Sequence, residues 1–289
     1  MSFGRLKANL MMKNISLFTT IFIAITALLF SCKKEPNDGM PIYLKIDTAL
    51  VYTNTDQGSA SHKITDVWVT ANGRQLGAFQ LPTTIPILAS GDVRIIISAG
   101  IKDNGIANSR AEYPFYTVVE DVITDSKNGE TYSYTPQFTY APFAKINFKE
   151  DFESSNGFTN MSQAKSATED VFEGTACGKI SLSPIDSVVI AYNTNGLKIP
   201  FGQEVYLEMD YKCDNFFEIG LILNKDGGFS NLYKITLNPK DDWNKIYINL
   251  SNEIGVAQAE DYRLYFKLVK IGDASTVNVL VDNIKIVNY

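Results

Sequence analysis

One histidine and three cysteines occur in 289 residues, and that scarcity closes several routes to chemistry. Transition-metal sites are built from imidazole and thiolate ligands at short spacings. His62, in the polar stretch GSASHKITD, has no such partner, and a lone loop histidine is expected to be solvated. Neither a Gly-x-Ser-x-Gly elbow nor a glycine-rich phosphate loop is present. Positive charge is also sparse: 26 Lys and Arg stand against 32 Asp and Glu, a formal net charge of −6. Nucleic acid would need a basic stripe opposite its phosphates, so no nucleic-acid partner is expected. After residue 40 no apolar recurrence at three and four residues holds over three turns, which argues against a helical fold. Long apolar runs are missing too, apart from the uncharged residues 15–30, ISLFTTIFIAITALLF. Its 16 residues fall short of the roughly 20 that cross a bilayer as a helix.

That run follows a short basic region with Lys13, and Arg5 and Lys7 further upstream, the layout of a secretory signal peptide. Leu29 to Cys32, LFSC, then resembles the lipobox of bacterial lipoproteins, although Phe30 is bulkier than the usual occupant of its position. The resemblance implies a signal peptide over 1–31, diacylation of Cys32 and a lipidated linker over 32–40. Two acyl chains suffice for stable anchoring to a membrane. CKKEPND lacks aspartate directly after the cysteine, unlike the inner-membrane retention signal. Its lysines followed by Glu35 resemble the export tag of surface lipoproteins in glycan-harvesting Gram-negative bacteria. The implied location is the outer membrane, lipid-anchored, with cell-surface exposure one of two leaflet placements. Loss of the leader's three cations takes the charge from −6 to −9.

Beyond the leader, short runs alternate apolar and polar residues between Gly, Asn, Asp and Pro clusters, as in YLKIDTALVY, DVRIIISAGI, VYLEMDYKC and YRLYFKLVK. This pattern predicts an all-β fold, and the length suggests two antiparallel β-sandwich domains. Asn72-Gly73 marks a hairpin, because a type I′ turn needs positive φ at both central residues. Pro82, Pro86 and Pro114 suit edges and crossings, where no ladder donor is lost. The seam is placed near residue 145, within TYAPFAKINFKEDFESSNGF, giving domains over 41–145 and 146–289. In an oxidising compartment Cys177 and Cys213 could pair. Strand parity argues otherwise, since Cys213 shares the side of Leu207 and Met209 whereas Cys177 lies opposite Ile180 and Leu182.

DVWVTANGRQLGAFQLPTTIPILASGDVRIII resembles the small immunoglobulin-like (Ig-like) or PEGA-type sandwich modules, which implies a spacer or docking surface. FKEDFES, GTACGKISLS, DWNKIYINLS and VNVLVDNIKIVNY, in that order, resemble the jelly-roll carbohydrate-binding modules of the galactose-binding-like superfold. That superfold also hosts domains that bind no sugar. The same resemblance implies a structural calcium ion between Glu153 and Asp282. Two acids are few for a cation that takes six to eight oxygens, and the alternative is that Asp282 caps a turn while Glu153 is solvated.

The phrase LEMDYK is tested against the Glu-x-Asp-x-x-Glu strand of laminarinase-type glycosidases. Glu208 and Asp210 share a face, but the third acid is replaced by Cys213, and retaining hydrolysis needs both a nucleophile and an acid. No enzyme is expected, and the two acids are expected to be exposed and neutralised by Lys212. Taking Leu207, Ile248, Leu264 and Phe266 as core turns Tyr206, Glu208, Asp210, Tyr247, Asn249, Arg263 and Tyr265 outward. Flat rings beside polar groups are what a sugar platform needs, while tyrosine also serves simple cross-strand pairing. Trp243 is expected to pack structurally at the core edge, and Trp68 to lie opposite Val67 and Val69. The function these features imply is a non-catalytic, membrane-anchored lipoprotein binding polysaccharide through its carboxy-terminal domain. The alternative is a protein-protein docking or adhesion component whose partner is an envelope protein.

Overall fold

The computed structural model describes residues 39–270 and 276–289; the leader and Cys32 lie outside the described residues. Ten strands make the amino-terminal half: β1 (Ile42–Ile46), β2 (Leu50–Tyr52), β3 (Asp66–Ala71), β4 (Arg74–Gln80), β5 (Thr83–Ile87), β6 (Gly91–Lys102), β7 (Arg110–Glu112), β8 (Val119–Ser126), β9 (Thr131–Ser133) and β10 (Gln137–Thr139). One sheet runs β4-β3-β6-β7 with β8 also on β6, and its buried residues share one hydrophobic cluster with those of the smaller sheets β5-β1-β9 and β10-β2. Along β6 the alternation is regular: Val93, Ile95, Ile97, Ala99 and Ile101 are buried, as period-two strands require. The β3–β4 turn holds Asn72 at φ 47° and Gly73 at φ 77°, the primed turn whose twist matches its flanking strands. Pro86 sits in the edge strand β5. Two pairs, β1 with β9 and β2 with β10, are parallel, a departure from a wholly antiparallel arrangement. Parallel neighbours need a long crossover, which the intervening strands supply.

The carboxy-terminal half contains β11 (Lys145–Glu150), β12 (Phe158–Thr159), β13 (Ser162–Lys165), β14 (Ala176–Leu182), β15 (Val188–Asn193), β16 (Val205–Cys213), β17 (Phe217–Lys225), β18 (Gly228–Leu237), β19 (Lys240–Asn249), β20 (Asp261–Val269) and β21 (Val277–Asn288). Its sheets run β13-β14-β21-β16-β19, with β11 on β21, and β12-β15-β20-β17-β18. Among the described residues no sheet mixes strands from the two halves. The core between these sheets contains Leu207, Ile248, Leu264 and Phe266, all four fully buried. Between β19 and β20 lies α1 (Ser251–Ala257), which seals the core with Ile254. At seven residues it is too short to show a helical period in the sequence. Cys213 belongs to this core, whereas Cys177 packs on the opposite face with Ala164 and Leu280. Both thiols are free, and parity is the reason.

The halves pack face against face. Tyr206, Tyr247 and Val287, on the outer side of β16, β19 and β21, join the hydrophobic cluster of the amino-terminal half. Tyr113 meets Tyr206 with ring centroids 5.4 Å apart and Tyr247 at 4.8 Å. The backbone joins in as well, with Asn104 N donating to Tyr247 O at 2.9 Å.

Candidate functional site

The covered face takes in most of the residues that parity turned outward. Glu208 is fully buried, and its carboxylate accepts hydrogen bonds from Tyr113 Oη at 2.5 Å and from Tyr140 Oη at 2.8 and 2.9 Å. Asp210, also fully buried, accepts from Ser61 Oγ at 2.8 Å and Asn283 Nδ2 at 3.3 Å. Lys245 Nζ lies 3.7 Å from Glu208 and 3.6 Å from Asp210. Tyr206 and Tyr247 are buried, and half-buried Asn249 donates to Tyr206 Oη at 3.0 Å. The expectation that Tyr206, Glu208, Asp210 and Tyr247 form an exposed platform is therefore corrected. They do point away from their own sandwich, but the amino-terminal half occupies that side. The expected neutralisation by Lys212 is corrected too, since Lys212 pairs with Asp170 at 2.8 Å.

Burial governs the electrostatics of this junction, because removing charged groups from water disfavours their charged forms. Lys285 donates to Ser59 O at 2.6 Å and to Tyr140 Oη at 3.2 Å, and burial holds its ammonium down to about 8. Asp282 is pushed up to about 7 by burial, reinforced by the charges of Asp210 and Glu173. Tyr113 and Tyr140 are raised well above the usual phenol range by burial and then by Glu208. His62 is half-buried here rather than solvated, and burial followed by Lys245 lowers its pKa.

Glu153 and Asp282 do line one cleft, of about 470 Å³, together with Asp151 and Glu173. Their oxygens are nevertheless committed to the protein. Glu153 accepts from Thr175 Oγ1 at 2.6 Å, Thr175 N at 2.8 Å and Ala176 N at 3.0 Å, bonds that lower its pKa, the hydroxyl first. Asp282 accepts from Asn283 N at 2.8 Å and Glu173 N at 3.3 Å. Among the described residues no group of three or more His, Cys, Asp or Glu could hold a metal ion. The structure thus brings the implied pair, Glu153 and Asp282, to one cleft with these hydrogen bonds already made on their oxygens.

Arg263 and Tyr265 lie elsewhere, on β20 in the opposite sheet, and that sheet's outer face is open. Register aligns Tyr192, Tyr265, Gly220 and Tyr233 in one row across β15, β20, β17 and β18. Arg263, Ile222 and Asn231 form the next row, and Lys267, Glu218 and Thr236 the row on the other side. Tyr265 is only 3% exposed because its ring lies down over Gly220, where a Cβ would come within 2.5 Å of the ring. Tyr233 and Phe229, by contrast, are 53% and 64% exposed. The Arg263 guanidinium sits 5.4 Å from the Phe229 centroid and 6.0 Å from that of Tyr192, within cation–π range. Lys267 and Glu218 pair at 3.0 Å. Sequence reasoning missed Tyr192, Phe229 and Tyr233. The signal available was the shared parity of Phe229, Asn231 and Tyr233 in GFSNLYKITL, which the irregularity opposite Ile219 and Gly220 interrupts further along.

The two tryptophans are structural in setting. Trp243 packs edge-on against Phe172 at 5.6 Å and against the cluster around Cys177, outside the sandwich core rather than at its edge. Half-buried Trp68 lies opposite buried Val67 and Val69.

No protein-family model matches the chain, and no curated protein matches it. Solved structures of carbohydrate-binding modules do. One, described as the structural basis for promiscuous specificity in modules of the β-sandwich superfamily, is 17% identical, covering 76% of this chain and 84% of that one, with a TM-score of 0.37. A family 11 module from Clostridium thermocellum, in complex with a β-1,3-1,4-mixed-linked tetrasaccharide, is 13% identical over 50% of this chain and 94% of its own, at 0.37. TmCBM61 in complex with β-1,4-galactotriose is 11% identical over 49% and 97%, at 0.35. At these identities and scores the likeness carries nothing about a ligand, and the functional reading rests on this chain's own side chains.

Proposed function

We propose that this protein is a membrane-tethered, non-catalytic glycan-binding protein that takes polysaccharide on the outer face of β15, β20, β17 and β18. The observation that supports this is the exposed pair of rings, Tyr233 and Phe229, beside Arg263 and the flattened Tyr265. Sugar rings present apolar C–H faces and polar hydroxyl edges, so their sites combine flat aromatics with a few polar groups. Tyr265 lying over Gly220 keeps the floor of the face low, while Arg263, Asn231 and the Lys267–Glu218 pair offer donors and acceptors. Lipid on Cys32 would hold this face at an outer-membrane surface, where high local concentration makes weak single-site binding useful. Affinity electrophoresis of the protein in gels containing neutral and acidic polysaccharides tests the reading. Retardation is expected with at least one polymer, weakened about tenfold by Tyr233→Ala with Phe229→Ala, since a few aromatic anchors carry most of such binding. Absence of retardation across the panel, or a double variant retarded like the parent, would sink it. Mass spectrometry of the mature amino terminus tests the tether, with two acyl chains expected on Cys32 and none after Cys32→Ser.

A further inference from the structure

Four lysines converge on a second cleft, lined by residues of both halves. Lys63 and Lys102 come from the amino-terminal half and Lys240 and Lys245 from β19. Its volume of about 330 Å³ lies at the small end of the range for ligand pockets. No Asp or Glu is among the lining residues, although acids outnumber bases 32 to 26 in the chain. The local sign of charge is thus opposite to that of the molecule.

The four cations are not equivalent. Lys102 is paired with Asp66 at 2.8 Å, and Lys245 faces the buried Glu208 and Asp210. Lys63 donates to the neutral amide of Asn244, and Lys240 has no carboxylate within ion-pair distance among the described residues. Burial and then the Lys240 charge lower the pKa of Lys63, the direction expected for two like charges with no anion between them. Asn104, Asn238 and Tyr211 are also among the lining residues. Ammonium groups suit an oxyanion, amides suit hydroxyls, and a ring suits a C–H face.

We infer that this cleft is a binding site, separate from the open face of β20, for one or two units of an anionic sugar bearing a carboxylate or a sulfate. Lysine acts as a point charge rather than a shaped fork, so the site does not distinguish those two oxyanions by geometry. Because both halves line the cleft, the ligand touches both.

Calorimetric titration of the protein with digalacturonate, a sulfated disaccharide, cellobiose and inorganic sulfate tests this. At least one anionic disaccharide is expected to bind about tenfold or more tightly than both cellobiose and inorganic sulfate, with affinity falling as salt rises. Whichever of the two binds identifies the oxyanion. Lys63→Gln with Lys240→Gln, both at exposed positions, is expected to weaken that binding about tenfold or more with an unchanged unfolding midpoint. Should the double variant fail to fold, Lys240→Gln alone is expected to show a smaller loss in the same direction. Equal affinity for cellobiose, equal affinity for inorganic sulfate, undiminished binding by the variants, or no binding of either anionic disaccharide would each overturn the inference.

Discussion

Glu208 touches three partners from three different segments, Tyr113, Tyr140 and Lys245, and has no contact with water. Taking one member from a buried charged set leaves the others unpaired, which costs about 3–5 kcal/mol. Glu208→Ala is expected to lower stability by that order in urea titrations. Tyr140→Phe, which removes a hydroxyl bonded to both Glu208 and Lys285, is expected to cost about 1–3 kcal/mol. Asp282 gives the junction a pH signature. Its folded value of about 7 lies above its ordinary 3.8, so in that window the folded state keeps a proton the unfolded state has released. Stability from this group therefore falls as pH rises from about 4 to 7. Lys285, lowered from 10.5 to about 8, has lost a proton that the unfolded chain still holds between those values, so its contribution makes stability rise with pH there. Urea midpoints of the parent minus those of Asp282→Asn should fall across pH 4 to 7. A difference independent of pH would refute the assignment.

At the scale of single elements, the open face depends on one close approach between strands. Gly220 on β17 admits the Tyr265 ring from β20 and also approaches the Leu232 carbonyl of β18. Gly220→Ala would force the ring or the strand aside, at a cost of about 1–3 kcal/mol for such overpacking. The variant is expected to unfold at lower denaturant and to lose gel retardation along with its flat floor. Unchanged stability would show that Tyr265 does not need the glycine. Strand identity was legible from periodicity for β16 and β20, whose inward Leu207, Leu264 and Phe266 are buried as alternation requires. It was less legible for β18, where the pairing irregularity beside Gly220 breaks the period.

At the scale of the molecule, the two halves share apolar surface and a buried charge network, so neither is simply a tether for the other. Tyr206, Tyr247 and Val287 pack into the amino-terminal cluster, and Lys285 reaches across to Ser59 O. Calorimetry of the whole protein is expected to show one cooperative transition. A fragment of residues 146–289 exposes those rings together with Glu208 and Lys285, and is expected to melt lower or to aggregate. An isolated fragment as stable as the intact protein would contradict this.

From its residues alone, this chain determined its all-strand character, the inward side of its strands and the separation of Cys177 from Cys213, because strand alternation has period two and assigns each side chain to one face. Alternation is silent about what stands beyond that face. Tertiary structure decided that Glu208 and Tyr247 are roofed while Arg263 and Tyr233 stay open, because that depends on docking between segments far apart in the chain, 68 residues from Tyr140 to Glu208 and 131 from Tyr116 to Tyr247, which no local period encodes.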